Sequence, residues 1–287
     1  MSGLGGYVIK DKYKREGLMA ELTLAKVTLA DMLGAVAQGG ISSVEISPEW
    51  FNGRAAYGGL VASLAATSLA GSLAEPKPIR SLMVNFVGPV PPQSVTIEPK
   101  ILRTGKSVTQ GIVDVSYNAE VLTHASAAFG IARPALAALS DVPFTAAARH
   151  TVPMMDPGGS LLPSFLKNFE MHWMGGSVPM SGRKDRAFGM WVRHRHNVDA
   201  FPLAKIIAAA DVPPPIMMSH YTHRVRASSL SWSLEFVRPV EEVQTDWFYL
   251  DFVLEAASGG YSQQSGRIFD EEGVLCAITR QCMVYFE

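Results

Sequence analysis

Ser81-Leu-Met-Val-Asn-Phe-Val-Gly-Pro89 and Ser231-Trp-Ser-Leu-Glu-Phe-Val-Arg-Pro239 are two versions of one segment, 150 positions apart. Both read as a β-strand that runs into a proline-marked turn. A second correspondence lies further on, where the strand start Val121-Leu122 matches Val274-Leu275 at an offset of 153. A weak repeat of this length marks duplication of a whole domain, not a solenoid of short units.

Working outward from the pair, strand patterns dominate each copy. The first reads as strands over Ser81–Val90, Val95–Leu102, Thr109–Tyr117 and Leu122–Ala132, with Asn118-Ala119-Glu120 turning between the last two. The second reads as strands over Phe169–Met174, Ala187–His194, Leu230–Val237, Trp247–Leu254, Gly260–Phe269 and Val274–Phe286, and Asp270-Glu271-Glu272-Gly273 is the matching last turn. Helical patterns are few. Thr28–Ala37 is a short amphipathic segment. Arg54–Leu73 is long and apolar, opened by Asn52-Gly53, and Phe201–Ala210 has Asp199 as N-cap and Pro202 in its first turn. The run Pro213-Pro214-Pro215 stops that helix.

Each copy therefore combines one apolar helix with a run of antiparallel strands, and a long sheet buries one face by wrapping around a helix. The fold expected is α+β, a double hotdog: two antiparallel sheets, each wrapped around a central helix. The domains expected are 20–135 and 166–287, joined by a Pro/Ala-rich linker over 136–165.

Bulk properties bound the function. The 287 residues are 48% hydrophobic and 18% charged, enough for a packed core, and the formal net charge of −1 gives no bulk attraction to nucleic acid. A local basic patch for a nucleotide phosphate stays open. Cys276 and Cys282 lie six residues apart in one strand pattern, roughly 20 Å in extended chain, whereas a disulfide needs Cα atoms about 4.4–6.8 Å apart. They read as free thiols, hence a reducing compartment. No signal peptide is recognisable, since Lys10–Arg15 is charged. Residues 1–18 differ in character from the rest of the chain, so Met19 reads as a possible native start. Leu60–Ala74 falls short of the ~20 residues of a membrane span. A cytoplasmic location is expected.

Three stretches carry a family resemblance: Phe51-Asn-Gly-Arg-Ala-Ala-Tyr-Gly-Gly59, Phe236-Val-Arg-Pro239, and Asp270-Glu-Glu-Gly-Val-Leu-Cys-Ala277 followed by Gln281. In this order and spacing, the chain resembles the double-hotdog acyl-CoA thioesterases of the bacterial type II kind over about Ile41 to Phe286. The resemblance implies an acyl-CoA or other acyl thioester as substrate, no cofactor and no metal, and a possible homo-oligomer, dimer or tetramer. It also implies an aspartate, a threonine and a glutamine that orient the attacking water. The glutamine is Gln281. Eight residues before Pro239, where the family has aspartate, stands Ser231, and counting from Trp247 the threonine position holds Glu255. The expected catalytic set is therefore Ser231, Glu255 and Gln281, with Glu255 as general base and the other two binding the water. The alternative is a catalytically silent binder of acyl or CoA esters with the same fold; a hotdog hydratase is a weaker third reading. Asn52, Tyr57, Gly58 and Gly59 resemble the entry of single-hotdog thioesterases, where the helix N-terminus faces the thioester carbonyl. They are the expected substrate-binding residues.

Other patterns give less. Arg103-Thr-Gly-Lys-Ser107 lacks the glycine a phosphate loop needs at position 100. It reads as a hairpin with solvated charges, with contact to coenzyme A phosphates as the competing reading. No Gly-x-Ser-x-Gly elbow is present. His194-x-His196 and His220-x-x-His223 have no further ligand beside them and read as surface or interface histidines. The thirteen methionines concentrate in the second half, and their flexible thioethers suit an acyl tunnel as well as ordinary core.

Overall fold

The computed structural model describes residues 27–136, 142–158 and 162–287. The expectations for residues 1–18 and Met19, and part of the linker, lie outside them.

Thr28 opens the first helix, α1 (Leu29–Gly34), with a capping box: its hydroxyl accepts the Asp31 N–H while the Asp31 carboxylate accepts the Thr28 N–H. After β1 (Ser42–Glu45), a small hairpin of β2 (Phe51–Asn52) and β3 (Ala55–Ala56) turns at Gly53, where φ is +68°. That hairpin is why the long helix α2 begins at Gly58 and not at Arg54; it runs Gly58–Gly71. Almost every residue of α2 from Gly59 to Leu69 is buried, so it has no polar face.

Four strands follow, β4 (Ile79–Phe86), β5 (Ser94–Thr104), β6 (Val108–Tyr117) and β7 (Glu120–Gly130). The second half brings β8 (Phe169–Gly175), β9 (Ala187–His194), the helix α3 (Pro202–Ala210), then β10 (Arg226–Phe236), β11 (Trp247–Ser258), β12 (Tyr261–Phe269) and β13 (Leu275–Phe286). Phe201, not Asp199, is the N-cap of α3; the Asp199 carboxylate instead accepts from Lys205 Nζ at 2.6 Å. Pro202 stands in the first turn as expected.

The two sheets meet edge to edge. Their order is β1-β5-β6-β7-β4-β10-β13-β12-β11-β9-β8, all antiparallel, so the double hotdog carries one continuous eleven-stranded sheet. Met83 and Ser233, equivalent under the repeat, face each other across the β4–β10 pair. The halves are thus related by an approximate two-fold axis through that contact. The bulge is duplicated too: Arg80 in β4 and Leu230 in β10, again 150 apart, are the residues skipped in register.

Residues 142–152 pack on the outer face of the second half. The Phe144 ring lies against Trp191, Tyr249 and Phe269, Trp191 Nε1 donates to the Ala147 carbonyl at 3.1 Å, and Arg149 pairs with Glu271. Two of the sequence motifs meet at the other end of β10: Arg238 pairs with Asp270 at 2.7 Å, while Asp270 Oδ1 accepts the N–H groups of Glu272 and Val274 and shapes the last turn. The Arg103–Ser107 segment is the β5–β6 hairpin turn, closed by the Gly105 N–H on the Val108 carbonyl. Cys276 and Cys282 are free thiols.

Candidate active site

The central helices α2 and α3 pack antiparallel. Tyr57 Oη donates to the Ala208 carbonyl at 2.6 Å, and one turn along, Ser63 Oγ lies 3.4 Å from the Ala204 carbonyl. The start of α2 therefore lies beside the end of α3, and Asp211, the C-cap of α3, comes against Gly58 and Gly59. The absence of side chains there is needed. A Cβ on Gly58 would stand 2.8 Å from Asp211 Oδ2, and one on Gly59 would stand 2.7 Å from the Tyr57 ring. That ring is held in place by stacking on Phe165 with centroids 4.0 Å apart.

The sheet supplies the rest. Gln281 on β13 donates through Nε2 to Asp211 Oδ1 at 3.0 Å and to Ser229 Oγ on β10 at 2.7 Å. Its Oε1 lies 3.5 Å from Gln264 Nε2 on β12, and Gln264 Oε1 accepts the Ile216 N–H at 3.2 Å. Gln264 and Gln281 are 1% and 7% exposed, so two buried amides are committed to orienting one another and the carboxylate. Because both donors of the Gln281 amide are used, the Ser229 hydroxyl accepts from it and keeps its own proton to donate. Burial drives the Asp211 carboxyl up to about 7 from 3.8, against the opposing pull of the Gln281 amide and the Gly59 N–H. A carboxyl that is half ionised near neutrality, next to a free hydroxyl donor, is equipped for proton transfer.

Of the residues expected from sequence, Gln281, Tyr57, Gly58 and Gly59 are brought together here. Among the described residues, Ser231 and Glu255 make no hydrogen bond to this group. Skipping Leu230 in the register lets Ser229 face inward with Met283, and Trp232 with Gln281, so that Ser231 faces outward with Cys282 and Asn85. There it lines a shallow depression of about 210 Å³ with Met83, Arg280 and Gln281. Glu255 is an exposed residue at a bulge in β11, two strands from β13, where its backbone carbonyl accepts from Arg186. Asn52 is exposed on the β2–β3 hairpin. Reading from sequence missed Asp211, Ser229 and Gln264. Asp211 was visible as the one acid between the end of α3 and the triple proline, a helix-end carboxylate flanked by apolar residues.

The repeat does not duplicate this site. The first-half equivalents of Ser229, Gln281 and Gln264 are Ile79, Ala127 and Gly111, read from matching positions in the strand registers. Polar machinery is present in one half only. His194 is half-buried: its Nε2 bonds the Lys205 carbonyl at 2.8 Å, and desolvation takes it down to about 4. Among the described residues, no group of three or more His, Cys, Asp or Glu is placed to hold a metal.

Family models match both halves: the acyl-CoA thioesterase N-terminal domain over residues 46–130 and the acyl-CoA thioesterase C-terminal domain over residues 143–285. The chain belongs to the acyl-CoA thioesterase family. Membership carries thioester hydrolysis as its general chemistry. The second match begins at 143, close to where Phe144 docks on the second half. No curated protein sequence matches this one. Among solved structures, the chain is similar to a hotdog-fold protein of Alicyclobacillus acidocaldarius, with TM-score 0.79 and 20% identity, covering 90% of this chain and 98% of that one. It is also similar to the tesB protein of Mycobacterium avium subspecies paratuberculosis, with TM-score 0.74 and 17% identity over 91% and 100% of the two chains. An acyl-CoA thioesterase II of Mycobacterium marinum gives TM-score 0.66 and 19% identity over 86% and 93%. At these identities the likeness establishes the hotdog fold of this acyl-CoA thioesterase family member and nothing finer. Among its described residues no helix is long and apolar enough to cross a membrane.

Proposed function

We propose that the protein hydrolyses acyl-CoA thioesters to the free acid and coenzyme A by direct attack of water, with Asp211 as general base. The observation that carries the reading is the Gln281 amide bonded at once to Asp211 Oδ1 and Ser229 Oγ. This is an aspartate, a hydroxyl and a glutamine, the inventory that the family resemblance implies, with serine in place of threonine. Water held between Asp211 and the Ser229 hydroxyl loses its proton to the carboxylate as its oxygen attacks the thioester carbon. The developing oxyanion is favoured by the positive end of α2, whose first residues adjoin the carboxylate. Collapse of the tetrahedral species breaks the C–S bond, and the proton on Asp211 passes to the departing thiolate. No covalent acyl-enzyme forms on this residue set.

The catalytically silent reading rested on Ser231 in the place of an acid; Asp211 supplies an acid from another element and favours hydrolysis. The cytoplasmic setting belongs to the same proposal, supported by two free cysteines, and a dimer or tetramer remains part of it. The test is thiol release from a panel of acyl-CoAs, followed colorimetrically. Turnover on at least one chain length that disappears in Asp211→Asn is the expected result; binding without turnover across the panel would return the protein to the silent class.

A further inference from the structure

The Gln281 amide has two ends, and only one orientation of it serves Asp211. With Nε2 inward it donates to Asp211 Oδ1 at 3.0 Å and to Ser229 Oγ at 2.7 Å. Turned over, it presents Oε1 to the same place, where an ionised carboxylate repels it and a protonated carboxyl donates to it. The reversed amide therefore stabilises the proton on the base. Both orientations fill the same space, so a polar neighbour has to choose between them.

A chain of donors makes the choice. Gln264 stands directly opposite Gln281 across the β12–β13 pair, is 1% exposed, and places Nε2 3.5 Å from Gln281 Oε1. That contact is long, yet reversal of the Gln281 amide would set two NH2 groups against each other with no water between them. Gln264 is fixed in turn, because its Oε1 accepts the Ile216 N–H at 3.2 Å, and a backbone donor cannot be exchanged for an acceptor. Ile216 opens a 3₁₀ turn, Ile216–His220, and the first N–H groups of such a turn have no partner within it. It follows Asp211 by five residues, and the segment between includes Pro213-Pro214-Pro215, whose rings lock φ. The path Asp211–Gln281–Gln264–Ile216 thus closes on itself through a stiff piece of backbone. The triple proline that stops α3 also sets the spacing between the base and the donor at the far end of the relay.

Resting on the hydrolase reading above, we infer that Gln264, anchored by the Ile216 N–H, is the positioning residue that holds the Gln281 amide in the orientation that donates to Asp211 and Ser229. It acts through Gln281, not on the attacking water. The titratable group facing Asp211 from the start of α2 is Tyr57, which burial keeps neutral. From the sheet, β10, β12 and β13 bring Ser229, Gln264 and Gln281, none of them charged. The ionisation of Asp211 therefore reports the orientation of the Gln281 amide.

The test uses the full chain and two variants that reach the relay from different ends. Gln264→Met removes both polar ends of the side chain at similar length. Ile216→Pro removes the anchoring N–H and part of the side chain; Pro215 ahead of it, at φ −54° and ψ 122°, already has the conformation that a following proline requires. In both, the midpoint of the kcat/KM profile is expected to rise by about one unit from about 7. The rate then falls about fivefold at pH 7 and returns to within about twofold of the parent near pH 9. Gln264→Met added to Gln281→Met is expected to cost nothing further, since its effect runs through that amide. A loss that is equal at every pH, or one that multiplies with Gln281→Met, makes Gln264 a packing residue only and overturns the inference. The carboxyl 13C shift of Asp211, assigned by its absence in Asp211→Asn, is titrated alongside, and where one variant does not fold the other decides. A titration that stays at the parent value overturns the inference even if turnover changes. If the parent hydrolyses no acyl-CoA, the hydrolase reading fails by itself, and the Asp211 titration still decides the role of Gln264.

Discussion

Gln281 on β13 holds Asp211 at the end of α3 through one amide proton and Ser229 on β10 through the other, at 3.0 and 2.7 Å. One side chain thereby fixes a carboxylate from a helix against a hydroxyl from a strand. Gln264 sits against the opposite end of the same amide. The arrangement accounts for a buried acid that folding alone would disfavour.

Asp211 sets the pH behaviour. Its carboxyl titrates at about 7 in the folded protein and at 3.8 unfolded, and the base must be ionised, so kcat/KM is expected to rise through about pH 7 as a single ionisation. The stability follows with the opposite sign. Between those two values the native state holds a proton that the unfolded state has released, so stability falls as pH rises and levels off above 7. Asp211→Asn removes that loss. We expect it to lower kcat by about 100-fold or more while gaining up to about 4 kcal/mol at pH 8 and little at pH 4. Urea unfolding at both pH values and a pH–rate profile check this; undiminished turnover in the variant rules out the base.

Ser229 and Ser231 differ by two residues and by face. One hydrogen bond to the attacking water is worth about 1.5–3 kcal/mol when a charge is involved, or roughly 10- to 100-fold in rate. Ser229→Ala is expected to lose kcat by that factor, and Ser229→Thr to keep most of it. Ser231→Ala and Glu255→Gln are expected to leave kcat within about twofold. Steady-state kinetics on the four variants decides; a larger loss from Ser231→Ala than from Ser229→Ala would reverse the assignment.

The fold was legible because the repeat is written in residues that the fold needs twice. Segments 81–89 and 231–239 aligned at 150, and the structure pairs Met83 with Ser233 at that same offset. Phe236-Val-Arg-Pro239 and Asp270–Gly273 were separate motifs in sequence and are one ion pair in space, Arg238 with Asp270. The site was harder to read for two physical reasons. The bulge at Leu230 changes which residues of β10 face inward, and strand alternation alone assigns no bulge; Arg80, its equivalent, shares no chemistry with it. Asp211 joins the site by the packing of α3 on α2, a contact that no strand count contains.

Gly58 tests how closely α2 must approach the carboxylate. An added Cβ would meet Asp211 Oδ2 at 2.8 Å and the Phe86 ring at 3.2 Å, neither of which recedes freely. Alanine is favoured over glycine in a helix by about 1 kcal/mol, whereas overpacking a tight site costs about 1–3 kcal/mol. Gly58→Ala is therefore expected to change stability little and to lower kcat several-fold by displacing the carboxyl. A variant with unchanged kcat would mean that the carboxyl tolerates the shift.

Tyr57 separates anchoring from chemistry. Its hydroxyl donates to the Ala208 carbonyl at 2.6 Å in a fully buried setting, and burial first, then the nearby Asp211, keeps it protonated far above the ordinary tyrosine range. It is therefore a neutral donor at every working pH and takes no part in proton transfer. Tyr57→Phe keeps the stack on Phe165 and removes only the hydroxyl's bond to Ala208, leaving the Ser63–Ala204 contact between the helices. The buried carbonyl left without that donor costs about 1–3 kcal/mol, so thermal or urea unfolding is expected to register a loss of that size. The midpoint of the pH–rate profile is expected to stay near 7, because Asp211 retains Gln281 and the Gly59 N–H. If the midpoint moved by a full unit while stability held, Tyr57 would be tuning the base and not bracing the helices.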